Sequence, residues 1–183
     1  MIYSNDTKAY RIPRWNELPD LELYMDQVIS VLDKYLALFI DKEDGGGITS
    51  TMINNYVKQK LVEPPKNKKY NKGHIASFFI ITLMKQIMSI SEINIAISTV
   101  ADKLGREKGY DLFCESFESS LEFVFIPGTK VHKIKCEDPE AYEIVRSITL
   151  AYANMLYARN LLKDHLPNEE PKESKKEKKE KKK

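Results

Sequence analysis

Residues 75–84 read Ile-Ala-Ser-Phe-Phe-Ile-Ile-Thr-Leu-Met, the longest apolar run in the chain, and no other stretch narrows the choice of folds as much. A helix over about residues 72–87 carries Ile75, Phe78, Phe79, Ile81, Leu83 and Ile87 and is apolar nearly all round, so other elements must wrap it. Lys85 interrupts the run, which is too short to span a bilayer. The segment is therefore expected to be the central helix of an all-α protein, with no membrane partner. A length of 183 residues gives room for one substantial core, or for one domain with an accessory helical unit.

The flanking sequence supplies the covering elements. Residues 1–19 are read as an N-terminal arm whose Tyr3, Tyr10, Ile12 and Trp15 dock on the core, with Trp15 packing rather than anchoring a partner. Ile12 before Pro13 disfavours helix there. Leu18-Pro19-Asp20 opens a helix to about Ile40, with Leu21, Tyr24, Val28, Leu32, Leu36 and Phe39 among its apolar positions. Ser91 is read as the cap of a helix ending near Gly105. Residues 111–126 form a further helix stopped by Pro127-Gly128; in an alternative, residues 124–126 and 131–134 pair as short strands. Asp138 followed by Pro139 opens a last helix to about Leu166, whose apolar positions exceed one stripe. The excess is covered either by earlier helices or by the same helix of a second subunit. This divides the chain into an arm (1–19), a unit over 20–106, a helical dimerisation unit over 107–166, and a Lys/Glu tail (167–183) expected to be disordered.

Charge is concentrated. The formal net charge is +2, yet residues 48–78 hold six Lys against one Glu and residues 171–183 hold eight Lys against three Glu, so the remainder is acidic. Within the first of these stretches Thr49 is a good N-cap, and Met52, Ile53, Tyr56, Val57 and Leu61 recur at helical spacing as one buried stripe. The opposite face presents Ser50, Thr51, Asn54, Asn55 and Lys58, groups able to reach a base edge or a phosphate. Pro64-Pro65 stops this helix, and Lys66, Lys68, Lys69 and Tyr70 follow in a short basic loop before Asn71 caps the next helix. The preceding segment, Asp41 to Gly47, is read as a solvated hinge. It lacks the ligand alternation and closing Glu of an EF-hand, and no strand precedes its glycines as a phosphate-binding loop requires.

Residues 48–93 resemble the winged helix-turn-helix of the MerR family. The likeness rests on a capped helix ending in Tyr56-Val57, on Leu61 and Pro64-Pro65, on a wing closing at Tyr70, and on a long apolar helix leading to Ser89-Ile90-Ser91-Glu92-Ile93. With Arg11-Ile12-Pro13-Arg14-Trp15 upstream, the wider pattern is similar to a bacterial domain family of unknown function that shares this motif. The resemblance covers roughly half of the chain. Asn54 and Asn55 stand where MerR proteins usually carry Arg and Tyr, and the wing is short and lacks its usual Gly. What the resemblance implies is a MerR-like winged helix-turn-helix, its short wing at most a minimal β-hairpin, with additional C-terminal helices. It also implies a transcription regulator that binds double-stranded promoter DNA as a homodimer.

In that reading Asn54 and Asn55 read bases, because an Asn amide matches the N6 and N7 edge of adenine. Ser50, Thr51, Tyr56, Lys58, Lys66, Lys68, Lys69 and Tyr70 complete the DNA-binding set, mostly by positioning the backbone. An alternative from another class is a protein-interaction module that uses the same scaffold without DNA. His74, His132 and His165 sit in no metal or nucleophile motif. His132 and Cys136, four apart, lack two further zinc ligands. No enzyme, metal or cofactor is expected, and the sequence does not reveal whether a small-molecule effector binds. Two separated cysteines and the absence of a signal peptide suggest a cytoplasmic setting.

Overall fold

The computed structural model describes residues 11–40, 47–130, 132–163 and 165. The expectations for Tyr3, Tyr10, the Asp41 to Gly46 hinge and the Lys/Glu tail lie outside them. Among the described residues the fold is all-α, with six helices: α1 (Met25–Leu36), α2 (Ser50–Lys58), α3 (Lys72–Met84), α4 (Ile90–Leu104), α5 (Arg106–Phe125) and α6 (Pro139–Lys163), preceded by a single 3-10 turn at Trp15–Glu17. Extended pairing among these residues is limited to two isolated bridges, Leu23 with Tyr70 and Lys66 with Lys69.

The apolar run is the hub. Ile75, Phe78, Phe79, Ile81, Leu83 and Met84 of α3 are each at most 1% exposed, and α3 touches α1, α4 and α5. Asn71 caps it as expected, its Oδ1 accepting the His74 N–H at 3.2 Å. Around this hub α5 and α6 pack along each other, and both touch α4. Phe117 of α5 is fully buried, with ring centroids of Phe39, Tyr152 and Phe113 at 5.1, 5.5 and 5.9 Å. The buried Tyr152 hydroxyl donates to the Phe39 carbonyl at 3.1 Å and accepts from Gln86 Nε2 at 3.0 Å, tying α6 to the ends of α1 and α3. One contiguous buried cluster runs from Ile12 to Leu156.

The N-terminal segment is fastened by charge as well as by its aromatic ring. Arg14 forms a fork with Glu118 of α5, Nη1 to Oε1 at 2.7 Å and Nη2 to Oε2 at 2.6 Å, and Glu118 also accepts the Ile12 N–H at 3.0 Å. Both side chains are largely shielded from water, so this bidentate pair is stronger than a surface pair. Trp15 packs edge-on against Tyr110, and the Trp15 backbone N–H donates to Asp111 Oδ1 at 2.7 Å, in line with a packing role.

Several boundaries differ from the sequence expectation. The first long helix starts at Met25 rather than Asp20, because Leu23 exchanges two 2.8 Å backbone hydrogen bonds with Tyr70 in an isolated bridge, which keeps it out of the helix. The cap of α4 is Ser89, not Ser91: Ser89 Oγ accepts the Glu92 N–H at 3.3 Å and Glu92 returns a carboxylate to the Ser89 N–H at 2.8 Å, a capping box. Gly105, at φ +81°, lets α5 begin directly after α4, five residues earlier than expected. The strand alternative for 124–134 is not realised, since α5 continues to Phe125 and no described residue there joins a strand. His132 and Cys136 do not share a helix face either. Asp138 caps α6 through the Ala141 N–H at 2.8 Å. Folding back on α5 and α4, α6 buries Ala141, Val145, Thr149, Tyr152, Ala153 and Leu156 as one stripe, while Tyr157, Leu161 and Leu162 stay exposed.

Candidate nucleic-acid interface

Helix α2 has two unlike faces. Ile53 and Tyr56 are buried and Met52 and Val57 half-buried, which fixes the helix to the body. Ser50, Thr51, Asn54, Asn55 and Lys58 are all exposed. Thr49 supplies the start, its Oγ1 accepting the Met52 N–H at 3.2 Å. The end is a Schellman closure: the Leu61 N–H donates to the Tyr56 carbonyl and the Lys60 N–H to the Val57 carbonyl, both at 3.0 Å, with Lys60 in the left-handed region at φ +59°. Glycine is the usual residue at such a position, and a side chain there costs about 1 kcal/mol. The chain therefore keeps a lysine where a glycine would be more stable.

The basic loop is a tight reversal. Asn67 and Lys68 have φ of +51° and +62°, the signs a type I′ turn requires, and the Lys66 carbonyl accepts the Lys69 N–H at 2.9 Å. Asn is among the few residues that tolerate this conformation. Two supports hold the reversal. Tyr70 pairs with Leu23, and its ring lies edge-on to His74 and Phe78. The Lys69 ammonium sits 5.4 Å from the centroid of the Tyr24 ring, a cation–π contact.

Lys66 and Lys68 are exposed, and Lys58, Lys60, Lys66 and Lys68 have no carboxylate within ion-pair distance among the described residues. Lys72, by contrast, is paired with Asp20. Unpaired cations on a turn and a helix end are free to meet a polyanion. Two expected contacts change role: Tyr56 is 6% exposed and Tyr70 is 3% exposed, so their rings support the surface from beneath. Lys60 belongs beside the lysines already named. Its charge was visible in the sequence, but its left-handed backbone was not.

His74 lies in the first turn of α3, only 7% exposed, with Nδ1 accepting the Asn71 N–H at 3.1 Å and Nε2 against the Glu63 carbonyl at 3.1 Å. It is not free for a phosphate. Burial holds its pKa below the usual imidazole value, more than offsetting the Glu63 carbonyl and carboxylate that favour the cation. The folded state therefore binds fewer protons than the unfolded state below pH about 6.5. This contribution to stability is complete above that pH and lost as pH falls toward the folded value. In denaturant titrations at neutral and mildly acid pH, His74→Gln is expected to lose less stability on acidification than the parent.

A match to the family described as Domain of unknown function (DUF1836) covers residues 13–117, more than half of the 183 residues. The chain belongs to this family. The DUF1836 match includes α1 to α4, the basic loop and the first part of α5, and hence every residue of the candidate interface. No curated protein and no solved structure matches the chain. Among the described residues no helix is long and apolar enough to cross a membrane, and no group of three or more His, Cys, Asp or Glu is placed to hold a metal ion.

Proposed function

We propose that this DUF1836 protein is a cytoplasmic, sequence-specific DNA-binding transcription regulator. Its α2 acts as the recognition helix of a MerR-like winged helix-turn-helix, and its 66–69 turn acts as a minimal wing. The observation that carries the reading is the pairing of an exposed Ser50, Thr51, Asn54, Asn55 and Lys58 face with lysines that lack internal partners. α2 is about 13 Å long, enough to lie in a major groove. Asn54 and Asn55 make the base contacts, and Lys58, Lys60, Lys66, Lys68 and Lys69 hold phosphates. Replacing Asn54 or Asn55 by Ala is expected to cost about 1–3 kcal/mol on the preferred duplex and to relax preference at one base pair. Titrations of single-base variants of that duplex check this, and an equal loss on every duplex would assign the residue to the backbone instead.

One short half-site per subunit gives modest specificity, so we propose a homodimer. The candidate contact is the exposed apolar end of the α5–α6 pair, Phe123, Tyr157, Leu161 and Leu162, between 38% and 57% exposed. This surface is also what favours the second reading, a protein-interaction module. Leu161→Lys with Leu162→Lys is expected to yield a folded monomer by sedimentation with an unchanged helical spectrum. Parent protein that already sediments as a monomer at the concentrations used for DNA binding would remove the dimer from the account.

A further inference from the structure

Beneath the C-terminal end of α2 lies a cleft of about 520 Å³, formed by α3, α4, α5, α6 and the linker residues 60–63. Such a volume falls within the roughly 300–1,000 Å³ of small-molecule sites. Its walls are mainly apolar, with Ile80 and Met84 from α3, Ile97 from α4 and Ile148 from α6. The linker end differs. Lys60 and Arg106 stand there with Glu63, and Arg106 Nη2 meets Glu63 Oε1 at 2.5 Å. Both partners of that pair are about two-thirds exposed, so it is weakly held and easily exchanged. Glu63 can satisfy one cation, and Lys60 has no carboxylate partner among the described residues. The other acid of the lining, Asp102, belongs to the α4 wall.

We infer that this cleft is an effector site for a small, predominantly apolar organic acid. Its apolar body lies between α3, α4 and α6, and its anionic group engages Lys60 and takes Arg106 from Glu63. The second half of the inference rests on the DNA-binding reading. Lys60 and Leu61 close α2 through their hydrogen bonds to Val57 and Tyr56, so a ligand that draws Lys60 and releases Glu63 acts on the end of the recognition helix. A site with this location couples occupancy to DNA affinity through differential contacts with two states of the linker.

The test uses the intact protein and two probes that share one apolar body, anilinonaphthalene sulfonate and its uncharged counterpart N-phenyl-1-naphthylamine. Both are expected to bind saturably at one per chain, with enhanced fluorescence. Lys60→Gln with Arg106→Gln is expected to weaken the sulfonate at least tenfold and the neutral probe less than twofold. Ala96→Trp, which projects a large ring from the cleft wall of α4, is expected to abolish both, whereas Ile95→Trp on the exposed side of the same helix leaves both unchanged. Amide exchange of the unmodified protein with saturating sulfonate reads the site without any substitution, and protection is expected in residues 60–63 and 93–102. Protection confined to residues outside the cleft lining, undiminished binding in a folded Ala96→Trp protein, or an equal effect of the charge substitutions on both probes would overturn the inference. Probe binding is measured without DNA, so failure of the DNA-binding reading leaves these results intact. If the sulfonate binds as expected yet leaves affinity for a bound duplex unchanged, the coupling is wrong while the site stands.

Discussion

Phe117→Ala is expected to lower the stability of the whole chain by about 3–5 kcal/mol, the range for removing a fully enclosed aromatic ring. The ring has no exposed surface and is surrounded by Phe39, Phe113 and Tyr152, which come from the end of α1, from α5 itself and from α6. Three elements would lose contacts at once. The Tyr152 side chain is held by its hydroxyl to the Phe39 carbonyl and to Gln86, so it cannot collapse freely into the space left behind. For a chain of this size the loss corresponds to a fall in thermal midpoint of about 6–20 °C. Calorimetry checks this. Because a single buried cluster joins the N-terminal segment to α6, one cooperative transition is expected, and a second transition untouched by the substitution would show that the core is divided.

Neutralising the basic turn is the second large effect. Lys66→Gln, Lys68→Gln and Lys69→Gln together are expected to flatten the dependence of log affinity on log salt by about three, one unit per phosphate contact, and to weaken binding about 10²–10³-fold at 0.1 M salt. All duplexes should be affected alike, since phosphates carry no sequence. Lys69 adds a local cost because its ammonium lies over the Tyr24 ring. Lys69→Gln alone is therefore expected to loosen the turn as well as remove charge, whereas Lys66→Gln removes charge only. Fold should survive, because the turn is anchored by the Leu23–Tyr70 pairing and by the Tyr70 ring, which the triple variant leaves in place.

The contrast between what could and could not be read from the sequence is physical. Helix α3 was legible because an all-round apolar helix has one destiny, burial. The caps at Thr49, Asn71 and Asp138 were legible because each depends on a side-chain oxygen three residues before the N–H it accepts. Ser91 is read as the α4 cap where Ser89 serves, and Glu92 is the residue that distinguishes them, being three residues beyond Ser89 and able to return a carboxylate to its N–H. The start of α1 was set by a partner almost fifty residues away, Tyr70, which no local pattern announces. Tyr56 already fell on the apolar stripe with Ile53, so spacing pointed to burial while the family resemblance pointed to a DNA contact. The cleft was invisible because its walls come from five separate stretches, and only their packing creates it. Likewise the positive φ of Lys60 and Lys68 gave no warning, since neither is a glycine.

Selection of duplexes from a random pool by the intact protein, in the presence of excess unspecific competitor DNA, tests the central claim most directly. A Lys-rich tail can hold DNA without preference, so retention alone decides nothing; enrichment of sequence does. The account predicts an enriched site of two related half-sites whose preferred bases change in the Asn54→Ala and Asn55→Ala proteins. A pool that stays random through successive rounds, with folded protein confirmed in each, would contradict it.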